Sequence, residues 1–88
     1  MKVYKEKSLN GGVQKQYKFD NGYGASVVQH NGSYGNENGL WELAVLSWVN
    51  EHQYELDYST EITDDVIGYL TEEEVEKLLV RIQSLEIK

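Results

Sequence analysis

Residues Lys15–Val28 read KQYKFDNGYGASVV, and the reading of this stretch decides the fold. Tyr17 and Phe19 alternate with Lys18 and Asp20, and beyond Asn21-Gly22 the residues Tyr23, Ala25 and Val27 share one side. Alternation with period two is the mark of a half-buried strand. Asn-Gly between two such runs is a strong hairpin signal, because a type I′ turn needs positive φ at both central residues. The segment therefore predicts two paired strands, Val13–Asp20 and Tyr23–His30, joined by a two-residue turn.

Working outward, the same punctuation recurs at Asn10-Gly11, Asn31-Gly32 and Asn38-Gly39. Asn10-Gly11 predicts an earlier hairpin with a weaker strand over Lys2–Ser8. Asn31–Gly39, NGSYGNENG, reads as a loop that Tyr34 is placed to anchor. Leu40–Val49 is largely apolar on both alternating rows, as expected for a central strand partly covered on both faces. Its two tryptophans, Trp41 and Trp48, fall on opposite faces. One is expected under a helix and the other as an exposed anchor. Gln53–Tyr58 alternates again, with Tyr54, Leu56 and Tyr58 expected inward.

The last third reads as helix. Thr71-Glu72-Glu73-Glu74 is a capping box, in which Thr71 accepts from the Glu74 amide and the Glu74 carboxylate reaches back to the Thr71 amide. Val75, Leu78, Leu79, Ile82 and Leu85 form a stripe about 120° wide at helical spacing. Thr63-Asp64-Asp65 repeats the pattern on a smaller scale and predicts a single helical turn ending at Gly68. The expected fold is α+β: an antiparallel β-meander of four or five strands with one C-terminal α-helix, Glu72–Leu85, packed on the sheet. The expected core is Tyr17, Phe19, Val27, Leu43, Val45, Leu56, Val75, Leu78, Leu79 and Ile82.

The 88 residues make a single domain, 1–88, with no cysteine and no proline. Absence of cysteine excludes a disulfide framework and thiolate metal sites, and fits a reducing cytoplasm. Met1-Lys2 is not followed by an apolar run, so no signal peptide is expected, and no apolar stretch is long enough to span a bilayer. Net charge is −7, and it is unevenly spread. The first eighteen residues carry Lys2, Lys5, Lys7, Lys15 and Lys18 against Glu6, whereas residues 19–76 contain thirteen acids and no lysine or arginine. Such a segment is ill suited to binding a phosphate backbone directly, and equally ill suited to an anionic membrane.

No motif of catalysis occurs. His30 and His52 lack partners at metal-ligand spacing, so no metal site and no cofactor are expected. Asp20-Asn21-Gly22 and Asn36–Gly39 lack the spacing of a calcium loop, and no nucleophile elbow, zincin or phosphate-loop motif is present. The protein is therefore expected not to be an enzyme. The acids have two readings. Glu72, Glu73 and Glu74 start a helix. Glu51, Glu55, Asp57, Glu61, Asp64 and Asp65 form a row on the segment after the central strand. That row is either a solvated face that keeps a small protein soluble or a surface that meets a basic partner. Val80 and Ile87 leave the helical stripe and are candidate contacts of a homodimer.

Three segments together, YKFDNGYGASVV (Tyr17–Val28), GLWELAVL (Gly39–Leu46) and ITDDVIGYLTEEEVEKLL (Ile62–Leu79), resemble a group of small bacteriophage and prophage proteins of mostly uncharacterised function. The resemblance covers about half of the chain. It implies an accessory protein acting in the cytoplasm of a bacterial host and assigns no catalytic residue. By size, charge and implied origin the chain is further similar to inhibitors of host defence such as anti-CRISPR proteins. The functional expectation is a non-catalytic inhibitor whose acidic row occupies the basic nucleic-acid-binding groove of a host protein. The alternatives are a homo-oligomeric assembly protein and a small-ligand binder using the loop Asn31–Gly39.

Overall fold

The computed structural model describes residues 1–87. It is an α+β fold with element order β1 (Lys5–Leu9), β2 (Gly12–Lys18), β3 (Tyr23–Gln29), β4 (Trp41–Trp48), β5 (Tyr54–Leu56), β6 (Ile67–Leu70) and α1 (Glu72–Gln83). The first five strands form an antiparallel meander in the order β1-β2-β3-β4-β5, and β6 also pairs with β4. Because β3 takes one edge of β4, the other edge is shared: Leu46–Trp48 pairs with β5, and Trp41 and Leu43 pair with Leu70 and Ile67 of β6.

Pleating sends Tyr17, Ala25, Val27, Trp41, Leu43 and Val45 to one face, and α1 covers it with Val75, Leu79 and Ile82. Leu43, Val45, Leu79 and Ile82 are completely buried. At about 1.5–3 kcal/mol per buried aliphatic side chain, this layer is the main favourable term. The capping box forms as expected: the Thr71 hydroxyl accepts from the Glu74 amide at 3.2 Å, and the Glu74 carboxylate accepts from the Thr71 amide at 3.0 Å.

The opposite face has no helix, yet it is not bare. Gln14 donates to Ser26 at 2.8 Å and Gln16 donates to Gln14 at 3.1 Å, so buried amides on that face satisfy one another. Leu46 is fully buried, and Trp48 is enclosed edge-on by Tyr4 at 5.3 Å and Tyr54 at 5.1 Å. Trp48 is therefore a core residue, and with Trp41 also buried neither tryptophan is the exposed anchor expected from the sequence. Its indole N–H crosses the sheet to the Tyr17 carbonyl, 3.1 Å away, two strands distant. The crossing needs Gly24 between them, since a Cβ there would lie 2.6 Å from the indole nitrogen and 1.9 Å from the Tyr17 carbonyl oxygen.

Four local expectations are corrected. Asn10-Gly11 does form the two-residue turn, with φ of 44° and 79°. Asn21-Gly22 does not, because Phe19 bonds to Tyr23 and the loop holds three residues, Asp20–Gly22, with only Gly22 at positive φ. The reason is Asn21, which is pulled inward to the end of α1. Its amide donates to the carbonyls of Ile82, Gln83 and Leu85 at 2.9, 3.1 and 3.1 Å, while its oxygen accepts from the Tyr23 amide at 3.0 Å. The predicted helical turn at Thr63–Gly68 is absent: Ile67 joins β4 as a strand, and the Thr63 hydroxyl instead caps a turn at the Asp65 amide. The strand expected over Gln53–Tyr58 shrinks to Tyr54–Leu56, because Asp57 bends the chain by accepting from the Ser59 amide. Leu56 is consequently 53% exposed and lies outside the core, Tyr58 is exposed as well, and Leu78 is only partly buried.

Candidate functional site

The strand order decides where the acidic row lies. Residues 49–66 leave the end of β4, run through β5 on its outer edge and return to β6. Between the two strands Thr60 and Glu61 come beside Tyr23 and the Ser84–Glu86 end of α1, and Ile62 packs on the core. Glu51 sits in the β4–β5 turn, Glu55 on β5, and Glu61, Asp64 and Asp65 on the segment leading to β6. All five are exposed. Asp57 differs in being half-buried, with its carboxylate accepting from the Ser59 amide and bonding the Ser59 hydroxyl. Asp65 also has a local duty, accepting from the Val66 amide at 2.7 Å.

The lysines stand at the other end of the strand order. Lys5 and Lys7 are exposed on β1. Lys15 and Lys18 of β2 spend their charge on aromatic rings: the Lys15 ammonium lies 5.0 Å from the Trp41 ring centre, and that of Lys18 lies 5.1 Å from Trp48 and 5.3 Å from Tyr4. The ion pairs seen among the described residues, Met1 with Glu76 at 3.9 Å and Lys77 with Glu73 at 3.4 Å, involve none of Glu51, Glu55, Glu61, Asp64 or Asp65. Two hydrogen bonds between the two regions go to backbone. The Glu51 carbonyl accepts from the Tyr4 hydroxyl at 2.9 Å and from the Lys18 ammonium at 3.3 Å, which ties the β4–β5 turn across the helix-free face.

The other sequence candidates scatter. Val80 faces outward from α1 and Ile87 lies beyond its end, 53% and 80% exposed. His30 and His52 lie in separate turns, and no group of three or more metal-binding side chains occurs among the described residues. In the glycine-rich loop Tyr34 is anchored, as its ring stacks on Tyr69 at 6.2 Å and its amide donates to the Glu42 carboxylate at 3.2 Å. This contact interlocks two glycines. A Cβ on Gly68 would lie 2.5 Å from the Tyr34 Cβ, and one on Gly35 would lie 3.0 Å from the Tyr69 Cα. Tyr69 itself takes a left-handed φ of 57°, a conformation that costs a bulky residue about 1–2 kcal/mol. Sequence reading missed this site, because the strain falls on the tyrosine and not on the glycine beside it.

Among the described residues no helix is long and apolar enough to cross a membrane. No protein-family profile, no curated protein and no solved structure matches the chain.

Proposed function

We propose that the protein is a non-catalytic binding protein whose acidic sheet edge docks on a basic surface of a partner. The observation that carries this reading is that Glu51, Glu55, Glu61, Asp64 and Asp65 are all exposed and none of their carboxylates joins an ion pair among the described residues. Such unneutralised negative charge steers a positively charged partner, with an association rate that falls as salt rises. The strained, interlocked Tyr34–Tyr69 corner and the tie at the Glu51 carbonyl hold neighbouring segments in place, which lowers the ordering cost of docking. Joined to the resemblance to small phage proteins, this makes a host nucleic-acid-binding protein the partner to test first. A defence nuclease guided by RNA is the leading case, occupied in the groove that normally holds its nucleic acid.

The test is a binding measurement on purified candidates of that class at low and high salt. Glu55→Lys/Glu61→Lys should abolish binding, and added nucleic acid should release the protein from its partner. Both residues are exposed, so the double reversal leaves the fold intact. Binding that survives the reversal, or that nucleic acid does not compete, defeats the reading.

A further inference from the structure

Between the first turns of α1 and the sheet lies an open groove of about 280 Å³, close to the lower end of the size range of small-ligand sites. Val27 and Val75 give it an apolar floor, the rings of Tyr17 and Trp41 form its sheet side, and the carboxylates of Glu72 and Glu76 stand on the helix side. Tyr17 is only 4% exposed, and its hydroxyl, which makes no hydrogen bond among the described residues, is the part that meets solvent in the groove. A phenol so placed is ready to bond to whatever enters. Burial, and then the carboxylates of Glu76 and Glu6, push its pKa up, so it stays neutral.

Two further features define the guest. The Lys15 ammonium already rests 5.0 Å from the centre of the Trp41 ring, so this wall holds cations. Glu73 is engaged by Lys77 and Glu76 lies 3.9 Å from the Met1 amine, whereas Glu72 has no ion pair among the described residues. We propose that the groove binds an organic cation, a guanidinium or ammonium on a short apolar stem. The stem lies on Val27, Val75 and the aromatic rings, and the cation meets the Tyr17 hydroxyl and the Glu72 and Glu76 carboxylates. This site is independent of the acidic edge.

The test is an NMR titration that follows the Trp41 and Trp48 indole N–H signals with N-acetyl-arginine methylamide, its neutral citrulline counterpart and ethylguanidine. The arginine compound should give saturable shifts at Trp41, Val27 and Val75, with citrulline at least about tenfold weaker. Capped arginine binding more tightly than ethylguanidine assigns the site to a partner's side chain, and the reverse order assigns it to a free small cation. Tyr17→Phe should weaken binding about tenfold. Lys15→Met should tighten it several-fold by removing the cation already on Trp41. Glu55→Lys/Glu61→Lys should leave it unchanged, which separates a failure here from a failure of the acidic-edge reading. Equal shifts from citrulline, no saturation at millimolar concentration, or no response to both Lys15→Met and Glu72→Gln overturns the proposal.

Discussion

Asn21 joins the central hairpin to the end of α1, and its replacement by aspartate tests that joint without changing shape. The amide donates to the carbonyls of Ile82, Gln83 and Leu85, and the side chain is 7% exposed. Two N–H groups serve three acceptors, so about two net hydrogen bonds are at stake. At about 1 kcal/mol each, with a further penalty for the buried Ile82 carbonyl, Asn21→Ala should cost about 2–3 kcal/mol. For a chain of this length that is a fall in Tm of about 11–16 °C. Asn21→Asp keeps the acceptor for Tyr23 but offers no donor, and it sets a carboxylate against three carbonyl oxygens at the negative end of the helix. At neutral pH it should therefore be less stable than the alanine variant. The sign of its pH dependence follows. The aspartate is repelled in the folded state, so its folded pKa lies above its unfolded value. The penalty is complete above the folded pKa and shrinks as pH falls towards the unfolded one. Thermal unfolding followed by far-UV circular dichroism, taken as the difference between variant and parent at each pH, measures this. An aspartate variant as stable as the parent, or a deficit that grows on acidification, refutes the capping role.

Other outcomes follow from the same geometry. Gly24→Ala places a Cβ where the Trp48 indole reaches Tyr17, and should cost about 2–3 kcal/mol while moving the Trp48 indole N–H signal and speeding its hydrogen exchange. Gly68→Ala should destabilise similarly by displacing Tyr34, whereas Tyr69→Gly should be nearly neutral. Relief of the left-handed tyrosine, about 1 kcal/mol, offsets a lost ring pair worth about as much; denaturant midpoints compare the two. Thr71→Ala should cost about 1 kcal/mol at neutral pH. Hydrogen bonds from the Thr71 backbone and side chain hold the Glu74 carboxyl below its usual range. That contribution is present above the unfolded glutamate pKa and disappears as pH falls through the folded one. Thr71→Ala keeps the backbone amide and loses the pH-independent bond from the Glu74 amide to the hydroxyl, so its melting curve should narrow the gap to the parent in acid without closing it.

What the sequence made legible was local. The β2–β3 alternation, the capping box at Thr71 and the apolar stripe of α1 each depend on neighbours within a few residues, and each stands where the pattern put it, except that the helix ends at Gln83 and not at the expected Leu85, which packs on the core from beyond it. The errors came from partners far along the chain. Asn21 leaves the type I′ geometry because its ligands are sixty-one residues away at Ile82 and beyond. Ile67 becomes strand because the outer edge of β4 has room for a second partner beyond β5, a fact about strand lengths and not about the Thr63 cap. Trp48 is buried because Tyr4 and Lys18 fold over it, although neither belongs to an adjacent strand. For the candidate site, the row of acids was readable but its placement was not. Only the strand order puts Glu55 on the outer edge of β4, and only the packing brings Glu61 beside Tyr23 and the end of α1. Asp57 could not be told from its neighbours until its turn with Ser59 was seen.

The cage around Asn21 also governs how the molecule ages. Asn-Gly pairs deamidate when the glycine nitrogen attacks the side-chain carbonyl carbon and ammonia leaves. At Asn21 the amide is pinned by helix carbonyls and the Gly22 nitrogen is engaged with Phe19 at 3.1 Å. At Asn38, an exposed residue ending the 3-10 turn Asn36–Asn38, the Gly39 nitrogen is likewise bonded, to the Asn36 carbonyl at 3.0 Å, but no hydrogen bond among the described residues pins the side-chain amide. Stored protein should thus first gain acidic charge isoforms of unchanged melting temperature from its outer loops. Thermal stability should fall only when the succinimide finally forms at the hairpin.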